Sequence, residues 1–194
     1  VKDRAMATAG VHASEDPLHT AEELLALGED APFILIEGRL VEEMPSGFRS
    51  TRIAALFVAY LVMYARPRKL GEVCGADGGF ILQRDPDTVL SPDAAFIRAD
   101  RLSPSDQAIV GFLPTYPDLA VEVLSPSNRA GEVARKVEIY SKAGVPLVWV
   151  IDPERETATV YAHGREPVTL ARGDALDGGD VLPGFTLPLD DVFR

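Results

Sequence analysis

Two stretches of this chain are apolar without alternation: "LAVEVL" at residues 119–124 and "VPLVWVI" at 145–151. Short unbroken apolar runs bounded by turn residues predict strands buried on both faces. Between them Val133, Val137 and Tyr140 recur at helical spacing, with Gly144 as a stop. The segment "SPSN" at 125–128 is a helix-start signal. Strand, helix and strand in this order make a βαβ unit, so the two strands are predicted to be parallel. After a turn in "DPERE", "TATVYAH" reads as an antiparallel neighbour. Nearer the N-terminus, "HTAEELLAL" pairs Thr20 with Glu23 as a capping box and ends near Gly28. "FILI" and "LVEEM" flank a turn containing Glu37 and Gly38, which predicts a hairpin. Residues 47–70 carry the longest helical period, through Ile53, Leu56, Phe57, Tyr60, Leu61 and Tyr64, with Pro67 as its end. "EVC", "GFILQ" and "SPDAAFI" read as short strands, residues 98–117 as loop with one helical turn, and the tail as two or three short strands. The pattern predicts an α/β (α+β) fold: one mixed β-sheet flanked by a long helix and a crossover helix. Residues 1–18 read as a flexible arm and 19–194 as a single domain.

Composition narrows the function classes. Of 194 residues, 46% are apolar and 25% charged, the range of an ordinary globular chain. No uninterrupted apolar run reaches the ~18 residues of a membrane span, and the polar, Ala-rich start lacks a signal-peptide core. Cys74 is the only cysteine, which excludes an internal disulfide and a cysteine-rich zinc site. The expectation is a cytoplasmic protein with no membrane partner. The net charge of −11 argues against a broad basic footprint for nucleic acid. Locally the balance differs. Residues 44–71 contain no acid but hold Arg49, Arg52, Arg66, Arg68 and Lys69, and Arg129, Arg135, Lys136 and Lys142 form a second group. These are either two solvated helix faces or a positive groove on an acidic protein.

Three residues stand out chemically. Glu122 interrupts an apolar run, and a buried unpaired carboxylate costs several kcal/mol. Taken alone it reads first as a strand-end acid reaching solvent or an arginine. Asp93 follows Ser-Pro and leads into another apolar run, which alone reads as a turn residue. Lys136 sits at the edge of the helix face marked by Val133, Val137 and Tyr140, where a lysine is ordinarily solvated. Together they make sense as two carboxylates for a hard cation and one ammonium beside it. His12, His19 and His163 lack ligand spacing and read as surface residues. Ser125 and Ser127 fit helix capping, and "GADGG" has no phosphate-loop lysine. Trp149 reads as core.

The segments "FILIEGRLVEEMP", "SPDAAFI", "PDLAVEVLSPS", "KVEIYSKAGVPLVWVIDP" and "GDVLPGFTLPLDDVF" resemble, in order and spacing from about His19 to the end, the PD-(D/E)XK or restriction-endonuclease-like superfamily. Within it they resemble the small bacterial proteins described as "putative restriction endonucleases". The resemblance implies a restriction-endonuclease-like core and a metal-dependent DNA endonuclease that uses Mg²⁺, with Mn²⁺ as the alternative ion. Asp93 matches the acid of the "PD" motif and Glu122 that of (D/E)XK. Leu124 stands where the motif has lysine, and Lys136 matches the position in the following helix to which this family moves it. Asp93 and Glu122 would bind the metal, joined by the Val123 carbonyl, and Lys136 would complete the catalytic set. Ile34 replaces a glutamate usual in relatives and Ser50 a frequent histidine, with Glu43 as a nearby substitute. These departures and the acidic charge support a second reading, a catalytically weak or inactive nuclease fold that serves as a nucleic-acid-binding or assembly module. A homodimer is expected, because a duplex needs two cuts and two-fold dimers are common.

Overall fold

The computed structural model describes residues 17–28, 31–125 and 130–194. Its elements run α1 (Ala21–Ala26), β1 (Phe33–Ile36), β2 (Arg39–Glu42), α2 (Phe48–Arg68), β3 (Gly71–Gly75), β4 (Phe80–Gln83), β5 (Thr88–Leu90), β6 (Ala94–Arg98), β7 (Leu119–Val123), α3 (Ala130–Ala143), β8 (Leu147–Asp152), β9 (Thr157–Ala162), β10 (Val168–Ala171), β11 (Ala175–Asp177), β12 (Thr186–Pro188) and α4 (Leu189–Val192). Most of residues 1–18, together with His12, Ser127 and Arg129, lies outside the described residues.

Among the described residues the strands form three sheets, not the one that the pattern suggests. A six-stranded sheet has the order β10-β9-β8-β7-β6-β3, a four-stranded one β2-β1-β5-β4, and β11 pairs with β12. The β7-α3-β8 crossover is the expected βαβ unit, and β7–β8 is the parallel pair that makes the large sheet mixed. The division into sheets was hidden because β1 pairs across the chain with β5, through Leu35 and Val89. That partner is a three-residue strand too short to show a period. The hairpin is as predicted, with Glu37 and Gly38 both at positive φ in its turn.

Two layers cover the large sheet. On one face, Ile53, Phe57, Leu61 and Ala65 of α2 pack on Phe96, Leu119, Val121, Trp149 and Ile151. The closing β11–β12 hairpin and α4 extend this core, with Phe185 stacked on Trp149 at 6.0 Å. By length and composition α2 could cross a bilayer, but here its apolar stripe is a core contact, with Ile53, Phe57 and Leu61 fully buried. The helix passes Pro67 and ends one residue later, with Lys69 in the left-handed region as its cap. Proline in the last turn forfeits only one helical hydrogen bond, so it need not stop the helix.

On the opposite face, α3 lies with Val133, Val137 and Tyr140 toward Ala120, Val148 and Val150, and Ile34, Ile36 and Leu90 of the smaller sheet complete the cluster. Gly144, at φ +91°, ends α3. Its N–H bonds the Ser141 carbonyl at 3.1 Å, and the Val145 N–H reaches back to the Tyr140 carbonyl at 3.0 Å. This six-residue closure needs a residue at ease with positive φ, and it fixes the helical turn that carries Tyr140.

Candidate active site

Strand alternation decides where the acids point. Along β7, Leu119, Val121 and Val123 face α2, so Ala120 and Glu122 face α3. In the β6–β7 ladder Ala94 lies opposite Val121. Continuing that antiparallel register by one residue sets Asp93 across from Glu122 on the same face. The Val123 N–H donates to Asp93 Oδ2 at 2.6 Å, anchoring the carboxylate at the mouth of the strand. On α3, Lys136 and Tyr140 are one turn apart on the face toward the sheet. Lys136 Nζ lies 3.3 Å from Glu122 Oε2 and 2.6 Å from Glu43 Oε1. The Tyr140 hydroxyl donates to Glu122 Oε1 at 2.7 Å. The structure thus brings Asp93, Glu122 and Lys136 together and adds Glu43 and Tyr140.

Both oxygens of Glu122 are engaged, which answers the cost of an acid in a buried strand. Burial pushes its pKa up, while the Lys136 charge and the Tyr140 hydrogen bond pull it back. Asp93 is pushed up to about 7, by burial first and then by the charge of Glu122, against the Val123 hydrogen bond and Lys136. Burial works against the Lys136 ammonium, but Glu122 and Glu43 outweigh it and hold its pKa above the ordinary lysine value. Burial and the Glu122 charge hold the Tyr140 phenol well above its ordinary value, so it stays a donor.

Asp93, Glu122, Lys136 and Glu43 line a cleft of about 480 Å³ between the two larger sheets, and Tyr140 lies behind it. Lys136 and Arg135 are the only bases among its described lining residues, and carboxylates outnumber them. A neighbouring hollow of about 950 Å³ shares Glu43, Asp77 and Ser91 with it and takes in the "GADGG" turn. Ile34, 5% exposed, forms part of the apolar wall. The Ser50 hydroxyl donates to the Leu124 carbonyl at 2.7 Å and ties the first turn of α2 to the end of β7. At the site end of α2, Arg49 is paired with Glu156 at 3.1 Å and Arg52 donates to the Arg194 carbonyl at 3.0 Å. Arg135 meets Glu37 at 3.4 Å. Arg66, Arg68 and Lys69 lie roughly 24 Å or more further along α2 than Ser50. Of the two readings of the basic segments, solvated and paired helix faces describe the site end, and no positive groove forms there among the described residues. His163 is exposed, and Trp149 is fully buried in the core.

A cation could be held by the carboxylates of Asp93 and Glu122. Among the described residues no group of three or more His, Cys, Asp or Glu side chains is arranged to hold a metal ion. Two carboxylates alone would suit only a hard divalent ion that kept most of its waters.

Sequence reasoning underrated two members. In the sequence Glu43 has only its nearness in the hairpin to recommend it, and Tyr140 falls on the apolar stripe of α3. The available signal was its hydroxyl: a tyrosine buried on the face that looks toward Glu122 needs a hydrogen-bond partner.

The family model described as "Uma2: Putative restriction endonuclease" matches residues 21–190. Among solved structures, the crystal structure of a "putative nuclease belonging to DUF820" from Anabaena variabilis superposes with a TM-score of 0.78 at 23% identity, over 90% of this chain and 97% of that one. At that identity the likeness is one of fold, and the fold is the restriction-endonuclease-like one expected from the sequence. No curated protein matches.

Proposed function

The chain belongs to the Uma2 family, and from that membership we propose that it is a divalent-metal-dependent DNA endonuclease with Asp93, Glu122 and Lys136 as its catalytic set. The observation that carries the reading is the opposition of Asp93 and Glu122 across the β6–β7 register, with Lys136 3.3 Å from Glu122 and 2.6 Å from Glu43. Asp93, Glu122 and the Val123 carbonyl would hold Mg²⁺, or Mn²⁺ in its place. Bound there, the ion supplies Lewis-acid polarisation of a phosphoryl oxygen and a lowered pKa for water. Asp93 is held in place by the Val123 N–H and Glu122 by the Tyr140 hydroxyl. The Lys136 ammonium, 14% exposed, offers a charged donor to a non-bridging phosphate oxygen and offsets the charge that grows there in the transition state. The overall reaction adds water across one P–O ester bond: the water oxygen joins phosphorus and the leaving oxygen takes a proton.

Asp93→Asn tests the assignment, because it keeps the side-chain shape and an acceptor for the Val123 N–H. We expect Mg²⁺-dependent cleavage of plasmid and oligonucleotide DNA by the wild type and its loss, by about 10²-fold or more, in the variant. Equal cutting by both would refute it. A catalytically weak binding or assembly module is the second reading, favoured by Ile34 in the cleft wall and by the excess of carboxylates along it. Failure of divalent ions to bind in a Glu122-dependent way would support that reading instead.

A further inference from the structure

Lys136 stands between two carboxylates, and their contacts differ. The ammonium is 3.3 Å from Glu122 Oε2 and 2.6 Å from Glu43 Oε1. The other Glu122 oxygen already accepts the Tyr140 hydroxyl. A cation that came to Asp93 and Glu122 would therefore compete with Lys136 for Oε2. The displaced ammonium could not stay unpaired, since its side chain is only 14% exposed and a buried lone charge costs several kcal/mol. Glu43 offers the remaining partner. It follows the last residue of β2, and its backbone N–H is held by the Pro32 carbonyl at 2.8 Å. Its carboxylate thus reaches Lys136 from the smaller sheet, whereas that of Glu122 reaches it from the larger one.

We infer that Glu43 is a positioning residue that acts through Lys136: it is the second berth of the ammonium, which lets Lys136 release Glu122 to a divalent ion and remain at the site. Glu43 is then not itself a ligand. The inference rests on the divalent-ion reading above and adds the residue that makes the site loadable.

A double-mutant cycle separates this role from its rivals. Mn²⁺ affinity is measured by calorimetry on the wild type, Glu43→Gln, Lys136→Met and the double variant, without nucleic acid. Urea denaturation of the same four proteins, free of metal, reports the Glu43–Lys136 coupling. In the wild-type background Glu43→Gln should weaken Mn²⁺ binding about tenfold, because Lys136 is left to Glu122 alone. Lys136→Met should strengthen binding. With Lys136 absent, Glu43→Gln should change affinity by less than about twofold. An equal loss in both backgrounds would make Glu43 a ligand or a through-space charge and overturn the inference alone. Absence of Mn²⁺ binding in a wild type whose urea data still show the coupling would instead defeat the divalent-ion reading, and the inference with it.

Discussion

Tyr140→Phe removes one oxygen atom and leaves the ring, so it isolates a single interaction. The hydroxyl donates to Glu122 Oε1 at 2.7 Å. Tyr140 is fully buried, and the Glu122 side chain is 9% exposed, so water cannot readily take the vacated position. Loss of one partner from a buried charged acceptor costs about 2 kcal/mol. For a chain of 194 residues, this corresponds to a Tm lower by about 4–8 °C. The cost should depend on pH. The folded-state pKa of Glu122 already lies above its ordinary value of 4.5, chiefly through burial. Removing a donor to the carboxylate raises it further. A folded pKa above the unfolded one gives stability that is present in full below the unfolded value and lost as pH rises through the folded value. The variant must therefore fall further behind the wild type with rising pH, with a small deficit near pH 4 and the full one only above its own higher pKa. Urea denaturation of metal-free protein at pH 5 and pH 8, followed by circular dichroism, reads both quantities. A deficit below about 0.5 kcal/mol, equal at the two pH values, would show that the hydroxyl does not support the carboxylate and would refute the reasoning.

Two further outcomes follow from the same geometry. The Asp93 pKa, about 7 in the folded protein against an ordinary 3.8, makes metal-free stability decline as pH rises from about 4 to 7, and Asp93→Asn should flatten that decline in a urea-midpoint series. Ser50→Ala removes the 2.7 Å bond to the Leu124 carbonyl from a nearly buried position; it should lower stability by about 1 kcal/mol in chemical denaturation, and an unchanged midpoint would deny the hydrogen bond its role in tying α2 to β7.

The parts of this fold legible in sequence are those set by local period. The buried strands around α3, the α3 stripe, the Gly144 stop and the hairpin turn could each be read within a window of ten or so residues. The partition into sheets could not, because it depends on β5 finding β1 more than fifty positions away in the chain. The site followed the same division. Glu122 announced itself as an acid in an apolar run, and Asp93 and Lys136 gained meaning from it and from family likeness. Glu43 and Tyr140 carried no such contrast, since an acid after a hairpin strand and an aromatic on a helix stripe are both ordinary. Only the packing of α3 between the two sheets turns them toward Glu122. The arginines at the start of α2 left two readings open in the sequence, because the partners of Arg49 and Arg52, Glu156 and the Arg194 carbonyl, lie more than a hundred residues downstream.

The β6–β7 register bears on how this chain can change length. One residue gained or lost within β6 would turn Asp93 to the α2 face, among Phe57 and Trp149, and empty the place opposite Glu122. The connection from Arg98 to Leu119 holds twenty residues, with only two short 3₁₀ turns among its described residues. Insertions and deletions in its exposed middle shift nothing in the ladder. Length variation among relatives should gather there, and an engineered reporter sequence belongs in that loop rather than at either end of the pair of acids.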